Sequence, residues 1–210
     1  MEVFMVRHGE MGRTSSNDFL TERGEKQALA TGRYFSQLPV TAIISSPLVR
    51  ALGTAHVIAR ACQDMPVEVW PELREGLFRE MIGYGAEELR PRFPLAWFPK
   101  EMEAESLLYA ADTQESLRQR SQQVVQRLES SFGPNDYVVL VAHGGLISYI
   151  FHAFLRMPAD TFSFFKTNFA SISQVSLIPP AMRQEYPPIY PARSVDVVTV
   201  GDTSHLTGID

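Results

Sequence analysis

Histidine, arginine and glycine follow directly after two apolar runs of this chain. Arg7-His8-Gly9 follows the run Val3–Val6, and His143-Gly144 follows the run Tyr137–Ala142. A neutral imidazole can attack phosphorus and form a covalent intermediate. A guanidinium offers planar, forked donors that fit phosphate oxygens, and glycine lets backbone N–H groups approach a ligand closely. These residue types predict phosphoryl-transfer chemistry.

Three more side chains could complete such a site. Arg50 would add a second guanidinium one turn into a predicted helix, and Glu75 could protonate a leaving oxygen. Arg79 lies close to Glu75 in the sequence and could contact the substrate or simply be solvated. Fixed cations can stabilise a transferring phosphoryl group without a metal ion. The sequence therefore predicts a site with no metal and no cofactor.

The apolar segments that must position these residues alternate with amphipathic ones. Their order is strand–helix–strand–helix–strand, an insertion, and then helix–strand–helix–strand–strand. Strands are predicted at Val3–Val6, Ala42–Ser45, Val67–Trp70, Tyr137–Ala142, Ser171–Ile178 and Ser194–Val200. Strands joined by helices favour a mostly parallel sheet with helices on both faces. The predicted fold class is therefore α/β, as a three-layer α/β/α sandwich.

The sheet also predicts where the chemistry lies, because ligands of such folds bind outside the carboxyl ends of the strands. The first strand leads to His8 and the second to Arg50. The third strand leads to Glu75 and the fourth to His143. We expect these residues, distant in sequence, to meet at one rim of the sheet.

Two helix starts carry capping patterns. Ser46-Pro47 predicts a helix with Ser at the N-cap and Pro at the first helical position. Its N-terminus would add free N–H groups and dipole attraction for an anion. Asp112-Thr-Gln-Glu115 predicts a capping box for a second helix that runs to about Phe132.

The segment from Glu75 to Asp112 has no clean hydrophobic period. Prolines and aromatic residues interrupt it. We predict short helices and loops that form a small insertion, or lid, over the active site. Residues 1–210 are predicted to form a single domain, with residues 75–112 as an insertion within it.

Composition narrows the possible classes of protein. The chain has 210 residues and a net charge of −5, which argues against a general nucleic-acid surface. Cys62 is the only cysteine, so no intramolecular disulfide can form.

No apolar run reaches 18 residues, which predicts no contact with a membrane. We expect a soluble cytoplasmic protein with a small phosphorylated substrate; the sequence leaves a homodimer open.

Taken in order, these motifs resemble the histidine phosphatase superfamily, which has the phosphoglycerate-mutase-like fold. The resemblance spans nearly the whole chain. It rests on Arg7-His8-Gly9-Glu10, Leu20-Thr21-Glu22-Arg23-Gly24, Ser45-Ser46-Pro47-Leu48 with Arg50-Ala51, Leu73-Arg74-Glu75, Glu115-Ser116, Ala142-His143-Gly144-Gly145, Asn168-Phe-Ala-Ser-Ile and Asp202-Thr-Ser-His205-Leu. It implies a mixed sheet in which one late strand runs antiparallel.

The resemblance also implies roles for the candidate residues. His8 would be the nucleophile that becomes phosphohistidine, and Glu75 would be the general acid and then the base for water. Arg7, Arg50 and His143 would hold the phosphoryl group. Gly9, Gly144 and Arg79 complete the predicted substrate-binding set, and the family needs no metal.

The chain departs from the family pattern beside the nucleophile. Members commonly have Thr or Ser where this chain has Met11, and many have a phosphate-contacting Asn several residues later. Here the segment between Gly12 and Leu20 is short, and its Asn17 lies close to the leucine. These departures leave the phosphoryl chemistry intact and concern the identity of the substrate.

Three functions remain open from the sequence. We favour a phosphomonoesterase, because basic and aromatic residues mixed in the insertion suit a substrate with an apolar or ring-bearing part. A mutase of the phosphoglycerate type shares the same core. A non-catalytic relative could bind a phosphorylated ligand, although it would be expected to lack His8, Arg50 or Glu75.

Overall fold

The computed structural model describes residues 1–12, 19–183, 187, 189 and 191–209. Within these ranges the strands are β1 (Glu2–Arg7), β2 (Ala42–Ser45), β3 (Val67–Val69), β4 (Met81–Tyr84), β5 (Ala96–Trp97), β6 (Ser106–Tyr109), β7 (Tyr137–Ala142), β8 (Ile172–Leu177) and β9 (Val195–Asp202). The α-helices are α1 (Glu22–Phe35), α2 (Val49–Ala61), α3 (Ala86–Leu89), α4 (Gln114–Ser131) and α5 (Gly144–Phe154). None of these helices is both long enough and apolar enough to cross a membrane. Asn17 lies outside the described residues.

A seven-stranded sheet, in the order β5-β3-β2-β7-β1-β8-β9, forms the centre of the described structure. From β5 to β1 all neighbours are parallel. β8 is antiparallel to β1, and β9 is antiparallel to β8. The predicted mostly parallel, mixed sheet is confirmed. The parallel strands all end at one edge, so the residues that follow β1, β2, β3 and β7 lie along the same rim.

Both faces of the sheet are covered, which explains why its central strands are apolar throughout. Successive side chains of a strand point to opposite faces. Val3 and Met5 of β1 pack into the cluster that includes side chains of α4 and α5. Phe4 and Val6 pack into the cluster that includes side chains of α1 and α2. The two helical layers complete the three-layer sandwich and hold β1 rigidly from both sides.

The two predicted helix starts differ from the structure. α2 begins at Val49 with Leu48 as its N-cap, not at Ser46-Pro47. The Ser46 hydroxyl accepts a hydrogen bond from the Leu48 N–H at 3.2 Å, a local turn that competes with a helix cap. The capping box of α4 is one residue later than predicted, because Thr113 and Ser116 exchange the capping bonds.

The segment from Glu75 to Asp112 contains strands as well as the predicted short helices and loops. β4 and β6 pair as a small antiparallel sheet, and β5 adds to the edge of the main sheet. Each is only two to four residues long. Strands this short hold too few alternating residues for a period of two to be detected in the sequence.

Candidate active site

The end of β1 presents His8 at the rim from a rigid backbone. The His8 N–H donates to the Ala142 carbonyl at 3.0 Å, and the Arg7 N–H donates to the Ser171 carbonyl at 3.2 Å. From the other side, the Ala170 N–H donates to the His8 carbonyl at 3.0 Å. The His8 side chain is 4% exposed. The backbone of His8 is therefore held between β7 and the turn that precedes β8.

The hydrogen bonds of the His8 ring determine which nitrogen carries the proton. Nδ1 lies 2.7 Å from the Gly9 carbonyl oxygen, which can only accept, so Nδ1 donates. Nε2 lies 3.1 Å from the Nε–H of Arg50 and accepts from it. The lone pair of a neutral ring is therefore on Nε2, on the side of Arg50. A phosphoryl group that reaches Nε2 can take over the Arg50 donor.

Burial and nearby cations keep His8 neutral. Burial is the largest cause that lowers the pKa of His8, to about 3, and the charges of Arg50 and Arg7 act in the same direction. The hydrogen bond to the Gly9 carbonyl acts in the opposite direction. A neutral imidazole is the form that can attack an electrophile.

The lowered pKa of His8 predicts a stability that depends on pH. The unfolded chain binds more protons, so stability is fully present above the ordinary pKa of 6.5 and is lost as pH falls toward 3. For His8 alone, the free energy of unfolding should fall by about 2 kcal/mol between pH 6.5 and pH 5. Urea unfolding at both pH values measures this loss. His8→Asn should show a smaller loss than wild type; an equal loss in the variant would contradict the prediction.

His143 lies beside His8, with 5.0 Å between the ring centroids. It is fully buried, and its Nε2 is 2.7 Å from the Ser46 hydroxyl oxygen. Burial, followed by the charge of Arg50, lowers the pKa of His143 well below its ordinary value. In the tautomer of His143 in which the Ser46 hydroxyl donates to Nε2, the ring proton lies on Nδ1.

Arg7 is fixed by a carbonyl and an aromatic ring. Its NH1 donates to the Thr167 carbonyl at 2.7 Å, and its guanidinium lies 4.3 Å from the centroid of the Phe169 ring. Arg7 Nε and His143 Nδ1 belong to a larger group of buried side-chain atoms that have no hydrogen-bond partner among the described residues. Buried donors of this kind are costly unless a ligand satisfies them. They are the donors that phosphoryl oxygens beside His8 could use.

Glu75 lies at the N-terminus of α5. Its carboxylate accepts from the backbone N–H groups of Gly76 at 2.9 Å, Leu146 at 3.2 Å and Gly145 at 3.4 Å. A Cβ added to Gly145 would lie 2.9 Å from Glu75 Oε1, and one added to Gly144 would lie 3.5 Å from the Arg7 guanidinium carbon. The helix start therefore lies against both Glu75 and Arg7, and at Gly145 a side chain would force the Glu75 carboxylate to shift.

The turn after His8 packs against α1 and α2. The Gly9 N–H donates to the Thr54 hydroxyl at 3.0 Å, and the Glu10 N–H donates to the Gln27 side-chain oxygen at 2.8 Å. A Cβ added to Gly24 would lie 2.0 Å from the Glu10 carbonyl oxygen. The Thr21–Gly24 motif is thus the surface on which the Arg7–Glu10 turn rests.

The structure brings together most of the residues predicted for the site. Arg7, His8, Arg50 and His143 contact or neighbour one another, and Glu75 adjoins Arg7 through the α5 start. Gly9 and Gly144 lie directly beside them. Arg79 is different: it is exposed and, among the described residues, makes no hydrogen bond or ion pair. Its predicted role in binding substrate stays a prediction.

Several residues of the site carried no signal that identified their contacts. Thr54 supports Gly9, Ser46 contacts His143, and Phe169 lies under Arg7. Ser46, Thr54 and Phe169 all belong to motifs that resemble the family, and Thr54 also follows Arg50 by one helical turn. Their partners lie between 45 and 162 residues away along the chain, so only the fold reveals the pairs.

Comparison with known proteins adds the family context. The sequence model of the histidine phosphatase superfamily (branch 1) matches residues 3–183. A probable phosphoglycerate mutase of Erwinia tasmaniensis is 30% identical in an alignment 220 positions long, which covers 98% of this chain and 95% of that protein. The two chains are therefore similar over almost their full lengths.

Two solved phosphatase structures align with most of this chain. A mycobacterial glucosyl-3-phosphoglycerate phosphatase in complex with VO3 aligns with a TM-score of 0.63 and 26% identity, over 83% of this chain and 92% of that one. A phosphoserine phosphatase of Entamoeba histolytica aligns with a TM-score of 0.65 over 98% of both chains. At 21% identity the second likeness concerns the fold alone.

Proposed function

The chain belongs to the histidine phosphatase superfamily, branch 1, and from this premise we propose that it is a metal-independent phosphomonoesterase that works through a phosphohistidine at His8. One observation carries the proposal. Nδ1 of His8 is committed to the Gly9 carbonyl, which leaves the Nε2 lone pair beside the Arg50 donor. This is the arrangement that a nucleophilic imidazole needs among groups that bind phosphate.

In the first half of the proposed reaction, Nε2 of His8 attacks phosphorus and forms a P–N bond. The bond between phosphorus and the leaving oxygen breaks, and Glu75 in its acid form gives that oxygen a proton. The alcohol departs and Glu75 remains as a carboxylate. The cationic ring of the phosphohistidine keeps its Nδ1 proton, which donates to the Gly9 carbonyl.

In the second half, Glu75 takes a proton from a water molecule, and the water oxygen attacks phosphorus. The P–N bond breaks, inorganic phosphate forms, and His8 returns to its neutral state. Arg7, Arg50 and His143 supply the donors for the phosphoryl oxygens in both halves. Because these donors are fixed before the reaction, little reorganisation is needed in the transition state.

The insertion favours hydrolysis over transfer to a small acid. A mutase must hold its intermediate through extra cations, yet Arg90 pairs with Glu103 and Arg92 lies 4.9 Å from the Phe19 ring centroid. These two cations are engaged within the protein, which leaves Arg79 as an exposed and, among the described residues, unpaired arginine of the insertion. Phe78, three residues after Glu75 in the chain, is fully exposed and offers an apolar surface. The substrate class we propose is a small phosphate ester with an apolar or ring-bearing part.

Mutase activity is the second candidate, since a relative that covers the chain almost completely is named a probable phosphoglycerate mutase. A panel of phosphate esters, assayed in EDTA with release of inorganic phosphate as the readout, separates the two. Hydrolysis with a transient phosphohistidine in a single turnover supports the phosphatase. Return of the phosphoryl group to a glycerate supports the mutase, and inactivity across the panel supports a phospholigand-binding relative.

The cytoplasmic location stays a prediction.

A further inference from the structure

Asp112 is a buried carboxylate outside the set of residues placed in the candidate active site. Its side chain is 4% exposed, and it lies just before α4. It receives hydrogen bonds from the Arg74 guanidinium at 2.6 and 3.3 Å, from the Leu77 N–H at 3.0 Å and from the Ser116 hydroxyl at 3.0 Å. One carboxylate therefore binds residues on both sides of Glu75.

Arg120 of α4 closes the same network. Its side chain is 11% exposed, and its NH2 lies 3.1 Å from Asp112 Oδ1. Its NH1 donates to the carbonyl oxygens of Arg74 and Glu72. Arg74 in turn donates to the Glu75 carbonyl at 3.3 Å, and the Asp112 N–H donates to the Leu77 carbonyl at 2.8 Å. The backbone from Glu72 to Leu77 is held at nearly every residue.

The burial of this network distinguishes it from a surface ion pair. Exposed pairs contribute little, whereas breaking a buried pair leaves an uncompensated charge. Burial works to raise the pKa of Asp112, but hydrogen bonds from Arg74 and the Leu77 N–H and the charge of Arg120 together lower it. Asp112 is therefore held as a carboxylate, which accepts hydrogen bonds from Arg74, the Leu77 N–H and Ser116 and forms an ion pair with Arg120.

We propose that Asp112, together with Arg74 and Arg120, is a positioning residue for Glu75. This inference rests on the proposed role of Glu75 as the acid that protonates the leaving oxygen. The network fixes the backbone on both sides of Glu75, while the α5 start fixes its carboxylate. A group placed wrongly by about 1 Å can slow a reaction about 10²-fold. The network thus determines whether the Glu75 proton reaches the leaving oxygen.

The dependence of the rate on the leaving group tests the proposal. The p-nitrophenolate of p-nitrophenyl phosphate can leave without a proton, whereas the more basic oxygen of phenyl phosphate needs one. In Asp112→Asn, we expect kcat/KM for phenyl phosphate to fall about 10²-fold and that for p-nitrophenyl phosphate by less than about 3-fold. The matched control is Glu103→Gln, which removes the carboxylate of an exposed arginine pair in the same segment and should leave both values unchanged.

Equal losses for the two esters, or no loss, would overturn the proposal, because a purely structural carboxylate does not sense the leaving group. If Asp112→Asn fails to fold, Arg120→Gln should show the same selective loss of kcat/KM for phenyl phosphate. Arg120→Lys should recover part of that loss. Glu75→Gln serves as the reference. If Glu75→Gln loses kcat/KM equally for both esters, the proposed acid role of Glu75 is wrong, and the positioning role that rests on it is wrong as well. If only Asp112→Asn and Arg120→Gln lack selectivity, the positioning role alone fails.

Discussion

Replacement of His8 by alanine is expected to lower kcat by at least about 10⁴-fold and to abolish the phosphoenzyme. The other groups of the site can still bind a phosphate ester, but no other described side chain offers a lone pair where Nε2 of His8 lies beside Arg50. His143 is the nearest alternative. Its Nε2 is engaged with the Ser46 hydroxyl, 2.7 Å away, and is therefore not available as a nucleophile.

The phosphoenzyme distinguishes loss of the nucleophile from loss of binding. Wild type mixed with an ester labelled in its phosphoryl group should carry an acid-labile label after a rapid quench, and His8→Ala should carry none. His56→Ala is the matched control, because His56 is a half-buried histidine of α2 whose ring packs near Phe93 instead of in the site. Labelled His8→Ala protein would contradict the assignment of the nucleophile.

The sequence predicted the rim of the sheet because the rule for that rim depends on strand order alone. His8, Ser46 and His143 each follow a parallel strand, so any correct assignment of β1, β2 and β7 brings them to one edge. The ends of β2 and β7 are marked in the sequence by the polar or turn residues that flank them, and the predicted bounds match the structure. The local sequence pattern is therefore sufficient to predict those site residues that the ends of the parallel strands position.

Features that depend on distant partners could not be predicted in this way. Ser46 carries the local signature of an N-cap, but its hydroxyl contacts His143, 97 residues later, and α2 begins at Val49 instead. Asp112 looked like the first residue of a capping box, yet its carboxylate binds Arg74, 38 residues earlier. In both cases the side chain could cap the helix next to it, but it bonds to a residue distant in the sequence instead. The tertiary contact therefore overrides the local capping preference.

Replacement of Glu75 by glutamine is expected to have the second largest effect. Glutamine keeps the size of the side chain and an oxygen for the N–H groups of Gly76, Gly145 and Leu146. It cannot give a proton to a leaving oxygen or take one from water. General acid–base catalysis contributes about 10²- to 10⁴-fold, so kcat for phenyl phosphate should fall within that range.

The two half-reactions should respond differently in Glu75→Gln. With p-nitrophenyl phosphate the first half should remain fast, because its leaving oxygen needs no proton. The second half should be slow, because no carboxylate activates the water. Rapid mixing should therefore show a burst of p-nitrophenolate, followed by slow turnover and an accumulated phosphohistidine. Absence of the burst, with slow and equal release of both products, would mean that Glu75 acts on the binding of the ester and not on its protons.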